Sequence, residues 1–385
     1  MKSAKLAWIV GIIATASVLP ACGAGKAASS GDEYLSGAPE VSALQLAVTD
    51  DASSEGTATD ADAVDAATEV SEAMGEASSA LTVQVAPELA HCRQAVNDLN
   101  QALRNFMQPI VALVRNTEPT VVGSVRTWGP VTRGATEFRF VMRRGAVRHF
   151  GWVLQARPAG TTADFEPVAA GGITVGFAAR RGVGTIGIDL DKLGNLDPTV
   201  VARGSLLASF AHGPKGSALA YRLHDFSPKP GDVAAIDAVI QGVHLQAGYN
   251  RLRLAFYGDV LGSATDAKEL VLARVRHVRA QGGRADAVVT GGDVKDGNAW
   301  VVSECWSPLL RSVYRVVREC PGDGIGGERC TEVSSVGDRS ACAGDLRDPE
   351  LPPADATAPM TDPESPEGDV EPPTSMPDGE APTGN

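Results

Sequence analysis

The chain has 385 residues, six cysteines and a formal net charge of −13, from 34 basic and 47 acidic residues. The acids concentrate at the ends: residues 26–80 hold 12 acids and one base, and residues 348–385 hold 10 acids and no base. Residues 81–347 have 31 bases and 25 acids, a net charge of about +6. These bases are dispersed, which argues against nucleic-acid binding, but a basic middle can attract the acidic ends, an anionic lipid or a polysaccharide.

The chain begins with a pattern typical of an export signal. Two lysines precede an apolar run of 14 residues, 6–19, shorter than the roughly 20 that a membrane-spanning helix needs. The sequence LPAC at residues 19–22 resembles the lipobox of bacterial lipoproteins. That resemblance implies that residues 1–21 are a signal peptide, that Cys22 carries a lipid, and that Gly23 directs the protein to the outer membrane. An ordinary signal peptide and a soluble secreted chain are the alternative.

Two segments have compositions that disfavour a packed core. Residues 22–82 are rich in Ala, Ser, Thr and acids, and residues 347–385 hold 10 prolines among their acids. Such segments bury too little apolar surface to offset the entropy lost on ordering. We therefore expect a disordered acidic linker at 22–82, a single folded domain at 83–346, and a disordered acidic tail at 347–385.

A helix is predicted from Pro87 onward, because proline suits a first turn and the apolar residues then recur in steps of three and four. This spacing places them in one stripe, with polar residues opposite, as in an amphipathic helix that packs on a sheet. The stripe comprises Leu89, Cys92, Val96, Leu99, Leu103, Phe106, Ile110 and Leu113.

From residue 120 the apolar period changes to two. Phe150, Trp152 and Leu154 share one face, and Leu252 and Leu254 alternate with arginines. Alternation of this kind is typical of antiparallel sheets with one solvated side. With about 11 or 12 such runs and turn signals between them, we expect a mainly β protein. Its sheet would be a curved antiparallel meander, half-open and barrel-like, with one N-terminal amphipathic helix covering one face.

One amphipathic helix followed by a long antiparallel meander resembles the half-barrels of periplasmic lipoprotein carriers, and less closely a lipocalin. The resemblance implies a non-enzymatic, lipid-anchored envelope protein that holds an apolar or amphipathic ligand between helix and sheet. The ligand would contact four residues of the stripe, Leu99, Leu103, Phe106 and Ile110. A structural or interaction lipoprotein with a solid core and a basic outer face is the alternative, and an envelope hydrolase is a third. We expect a monomer that meets the membrane through Cys22.

The sequence has no recognisable catalytic motif, and its two GxGxxG matches, at 182–187 and 322–327, are interpreted as turns because neither lies between a strand and a helix. The run GIDLDKLGNLDP at 187–198 has closely spaced acids, but apolar residues occupy positions where a calcium loop needs oxygen ligands. His224 and Asp225 are neighbours, which in a regular strand puts their side chains on opposite faces. We therefore predict no catalytic residues, no metal and no cofactor.

Four cysteines, at 305, 320, 330 and 342, lie within 38 residues of an exported chain, and disulfides are expected there. A hairpin turning near Pro308 would carry Cys305 away from Cys320, whereas the glycine-rich run between Cys320 and Cys330 can fold back. The sequence therefore predicts the nested pairs Cys305–Cys342 and Cys320–Cys330. Cys92, on the helix stripe, is expected to be a buried thiol.

Overall fold

The computed structural model describes residues 34, 37, 44–46, 48, 86–145, 148–176, 182–227, 235–258, 267–295, 297–322, 329–347 and 349. Residues 1–21, Cys22, most of the segment 22–82 and nearly all of the segment 347–385 lie outside these ranges. None of the helices in the described ranges is both long enough and apolar enough to span a membrane.

The described residues are mainly β and form one antiparallel sheet of 15 strands, in which every strand pairs with its neighbours in sequence. The meander predicted from the sequence is therefore confirmed, although it has more strands than expected. The sheet is not closed, because β1 and β15 lie at its two ends. The strands are β1 Thr120–Val122, β2 Val125–Arg133, β3 Thr136–Arg144, β4 His149–Pro158, β5 Glu166–Val175, β6 Gly182–Asp189, β7 Arg203–Gly213, β8 Gly216–Ser227, β9 Ile236–Leu245, β10 Tyr249–Gly258, β11 Glu269–Val278, β12 Gly282–Gly291, β13 Asn298–Trp306, β14 Ser312–Pro321 and β15 Thr331–Gly337.

Alternation of apolar residues explains which side of the sheet is buried. In β4, Phe150, Trp152 and Leu154 are buried while the residues between them are only half-buried. Trp152 packs against Phe140 of β3, with ring centroids 5.6 Å apart. Successive side chains of a strand point to opposite faces, so these residues define one apolar face. That face carries most of the core.

A long helix, α1 (Pro87–Asn116), contributes to the same core. It begins at Pro87 as predicted and precedes the sheet, but it does not lie at the N-terminus of the chain. Its buried side chains belong to the same cluster as the apolar face of the sheet. They are Leu89, Val96, Leu99, Leu103, Met107, Ile110 and Val114, and Cys92, Phe106 and Leu113 pack beside them half-buried.

A few residues before the helix also belong to the core, although they fall within the segment expected to be disordered. Tyr34, Leu44, Leu46 and Val48 are each at most 5% exposed. The backbone N–H of Leu46 donates to Asn100 Oδ1 at 2.9 Å, and Asn100 Nδ2 donates back to Leu46 O at 2.8 Å. Tyr221 donates its hydroxyl to Leu44 O. These four residues are an exception to the expectation for 22–82.

Candidate anion-binding surface

The face of the sheet opposite the helix carries five arginines in two rows across β10, β11 and β12. In one row Arg251 lies directly opposite Arg276 on the neighbouring strand, and Arg276 lies opposite Arg284. In the other row Arg253 lies opposite Arg274, and Arg274 lies opposite Asp286. Leu252, between Arg251 and Arg253, and Leu254, after Arg253, point to the core side. We call these five residues the arginine rows.

Charges of like sign directly opposite each other on neighbouring strands repel. The arginine rows place three arginines opposite one another on three neighbouring strands and two more in the next row, where Asp286 is the third residue. Arg253 is exposed and Arg251 and Arg276 are half-buried, whereas Arg274 and Arg284 are 9% and 2% exposed. Such an arrangement concentrates positive potential and favours negatively charged groups beside it.

Arg284 is neutralised within its own strand. Its Nε donates to both carboxylate oxygens of Asp286, at 2.9 and 2.8 Å, and both side chains are 2% exposed. Ser303 of β13 donates its hydroxyl to Asp286 Oδ1 at 2.7 Å. A buried ion pair is favourable only when its remaining polar atoms are also bonded, and these contacts meet that need.

The C-terminal segment, residues 338–347, lies over this end of the rows. Arg284 Nη1 donates to the carbonyl oxygens of Leu346, at 3.0 Å, and Arg347, at 2.9 Å. Leu346 itself is 2% exposed. Asp338 begins the segment's first turn and accepts from the side chain and backbone N–H of Ser340, which lowers the pKa of that carboxyl. The backbone N–H of Asp338 also donates to Val313 O of β14 at 3.0 Å, so the segment is held at both ends by polar contacts.

A disulfide fixes the same segment covalently. Cys305 lies directly opposite Arg284 in the sheet and is bonded to Cys342, with the two Cα atoms 6.0 Å apart. The second bond joins Cys320 to Cys330, with Cα atoms 4.1 Å apart. These are the nested pairs expected from the sequence. Cys92 is half-buried on α1 and takes part in neither bond.

The four residues proposed to hold an apolar ligand lie on one face of α1. Leu99, Leu103 and Ile110 are 7%, 3% and 4% exposed and belong to the continuous core, with Phe106 half-buried against it. A depression of about 590 Å³ lies elsewhere, lined by Tyr34, Val121, Gly123, Ser124, Arg126, Arg144 and Gly145. The geometry of the four residues is that of packed core.

His224, Asp225 and Asp237 come together at the ends of β8 and β9, contrary to the expectation for the first two. His224 Nδ1 lies 2.9 Å from Asp237 Oδ1, and its Nε2 lies 3.5 Å from Asp225 Oδ2. Asp225 has a left-handed backbone (φ 46°) at a register shift, which abolishes the alternation of a regular strand. Among the described residues, this is the one group of three His, Cys, Asp or Glu side chains with metal-binding spacing.

The acids of the run at 187–198 have local structural roles. Asp189 accepts from the backbone N–H of Lys192 at 2.9 Å and caps a short helix, α2 (Leu190–Leu196). Asp191 accepts from Gly204 N–H at 3.0 Å, and Asp197 accepts from Thr199 N–H at 3.0 Å. N-capping and turn formation account for these side chains.

The arginine rows were missed by sequence reasoning although part of the signal was visible. Arg251 and Arg253 alternate with leucines, and Val275 separates Arg274 from Arg276. What the sequence does not contain is the register that places the second pair opposite the first. A search for arginines at alternate positions in consecutive predicted strands would have found them.

Comparison with known proteins yields no match: no protein-family model, no curated protein and no solved structure matches this chain.

Proposed function

We propose that this protein is a lipid-anchored, non-enzymatic interaction protein of the cell envelope, whose arginine rows bind a linear polyanion such as an acidic polysaccharide. Three arginines that reach solvent carry this proposal: Arg251 and exposed Arg253 on β10, and half-buried Arg276 directly opposite Arg251 on β11. Neighbouring strands lie about 4.8 Å apart and alternate residues of one strand about 7 Å apart, so these three Cα positions lie within roughly 10 Å of one another. Several cations at this spacing suit a chain of repeated negative charges better than a single small anion.

The packing of α1 supports a solid core rather than a ligand cavity between helix and sheet. Leu103 and Met107 are 3% and 0% exposed and lie in one cluster with Phe140 and Trp152 of the sheet. A carrier for an apolar ligand needs space at that interface. Of the functions considered from the sequence, the interaction lipoprotein with a basic outer face therefore agrees best with the geometry.

Polyanion binding is tested by titrating the full chain with two probes, dextran sulfate and polygalacturonate, at low and at high salt. Replacing exposed Arg253 by glutamine is expected to weaken binding by about threefold to tenfold at low ionic strength, because one guanidinium contact is lost. Arg104→Gln, an exposed arginine on α1, is the matched control and should bind as the native chain does. Binding that is equal in all three proteins, or insensitive to salt, would contradict the proposed surface.

The lipid anchor at Cys22 is a separate part of the proposal and rests on the sequence LPAC alone. Replacing Cys22 by serine removes the thiol to which the lipid is attached, so the variant is expected to keep its signal peptide and to be lost from the outer-membrane fraction. Fractionation and intact-mass measurement after mild detergent extraction check both points. A variant that fractionates like the native protein would remove the lipid anchor, while leaving the polyanion surface to its own test.

A further inference from the structure

The described part of the chain ends beside the arginine rows. The carbonyl oxygen of Arg347 accepts a hydrogen bond from Arg284, and the disulfide between Cys305 and Cys342 holds the preceding residues on the same face. Pro349, two residues later, is exposed. The described part of the chain therefore ends at the edge of a cationic surface.

The residues beyond Arg347 are strongly acidic. Residues 348–385 contain 10 acids and no lysine or arginine, and the first three acids are Asp348, Glu350 and Asp355. Arg276 and Arg251 lie one and two strands beyond Arg284, at about 5 and 10 Å. An extended chain advances about 3.3 Å per residue, so a handful of residues after Arg347 is long enough to pass both arginines.

We propose that the acidic tail, residues 348–385, binds to Arg251, Arg253 and Arg276 of its own chain and, on the proposed function, competes there with external polyanions. A tether of a few residues gives an effective concentration of acids in the millimolar range, which favours binding in cis over binding to another copy. Opposite net charges, +6 for residues 81–347 and an excess of 10 acids in the tail, act in the same direction. The inference does not depend on the identity of any external partner.

The chain offers a matched pair of variants for a test. In the first, all 10 acids of residues 348–385 are replaced by their amides; in the second, 10 of the 12 acids of residues 26–80 are replaced in the same way. Both variants change the net charge equally and leave the described sheet untouched. Far-ultraviolet circular dichroism and the unfolding midpoint establish that each variant is folded before it is compared.

The readout is the rate at which phenylglyoxal modifies individual arginines of the full chain, measured by peptide mass spectrometry. Arg251, Arg253 and Arg276 are expected to react about threefold to tenfold faster when the tail is neutralised, because several weak contacts through one tether are lost together. The N-terminal variant should react as the native chain does, and exposed Arg104 on α1 should react equally in all three proteins. The difference should disappear near 1 M salt, where the Debye length is about 3 Å.

Three results would overturn the inference. Equal rates at the three arginines in the native and tail-neutralised chains would show that the tail does not cover them. Protection that rises with protein concentration would assign the cover to a second copy, and protection lost only in the N-terminal variant would assign it to residues 26–80. None of these results depends on dextran sulfate or polygalacturonate, so failure of the tail and failure of the polyanion surface are distinguishable.

Discussion

Replacing Asp286 by alanine is expected to lower the free energy of unfolding by about 3–5 kcal/mol, because the variant leaves a buried guanidinium without its carboxylate. Arg284 and Asp286 are each 2% exposed, and Asp286 also accepts the hydroxyl of Ser303. Arg284 further holds the carbonyls of Leu346 and Arg347. Urea unfolding, with the slope unchanged and the midpoint shifted, measures the loss.

Two further variants show whether the loss comes from the unpaired charge. The double replacement of Arg284 by methionine and Asp286 by leucine removes both charges, and it is expected to be much less destabilising than Asp286→Ala alone. Lys192→Ala removes an exposed ion pair with Asp189, where the side chains are 51% and 39% exposed, and should cost under about 1 kcal/mol. A loss for Asp286→Ala as small as that for Lys192→Ala would mean that water reaches the pair.

Replacing Leu103 by alanine is expected to cost about 2–5 kcal/mol, as for other large-to-small changes in packed cores. Leu103 is 3% exposed, in the middle of the buried side of α1, and its cluster includes the apolar face of the sheet. The removed atoms lose their burial and leave a cavity that neighbours on a 15-stranded sheet cannot readily close. Chemical unfolding monitored by tryptophan fluorescence measures the change.

The matched control for Leu103 is Gln108, which is exposed on the same helix. Gln108→Ala should change stability by about 0.5 kcal/mol or less, because it removes no buried contact. A loss below about 1 kcal/mol for Leu103→Ala, together with lipid detected by native mass spectrometry, would contradict a solid core and favour the carrier instead. The same measurement on Leu99→Ala, also within the core, extends the test along the stripe.

The elements that the sequence predicts well are those with a strong local period. Alternation at Phe150, Trp152 and Leu154 is sufficient for a strand, and the steps of three and four from Leu89 to Ile110 are sufficient for α1. Leu44 and Leu46 were not recognised as core because composition averaged over a long acidic segment hides a short apolar run. The burial of Leu46 depends on a partner 54 residues away, Asn100, which no local pattern identifies.

Clusters of side chains on the sheet were harder to predict because they depend on the register between neighbouring strands. A shift of one residue between β10 and β11 would move Arg276 away from Arg251. Asp225 shows the complementary difficulty, since a single left-handed residue at a register shift brings His224 and Asp225 together against the rule for regular strands. The cysteine pairs were predictable because a hairpin fixes which of its residues are far apart, without any knowledge of long-range register.

The strictly sequential order of the 15 strands has a consequence for how the chain folds. Each strand needs only the strand before it, so every new pairing closes a short loop and costs little chain entropy. Rates of folding rise as contacting residues lie closer in sequence, and a meander is the topology that keeps sheet contacts closest. A chain with this order can add its strands one after another, beginning at β1 and ending at β15, without waiting for a distant partner.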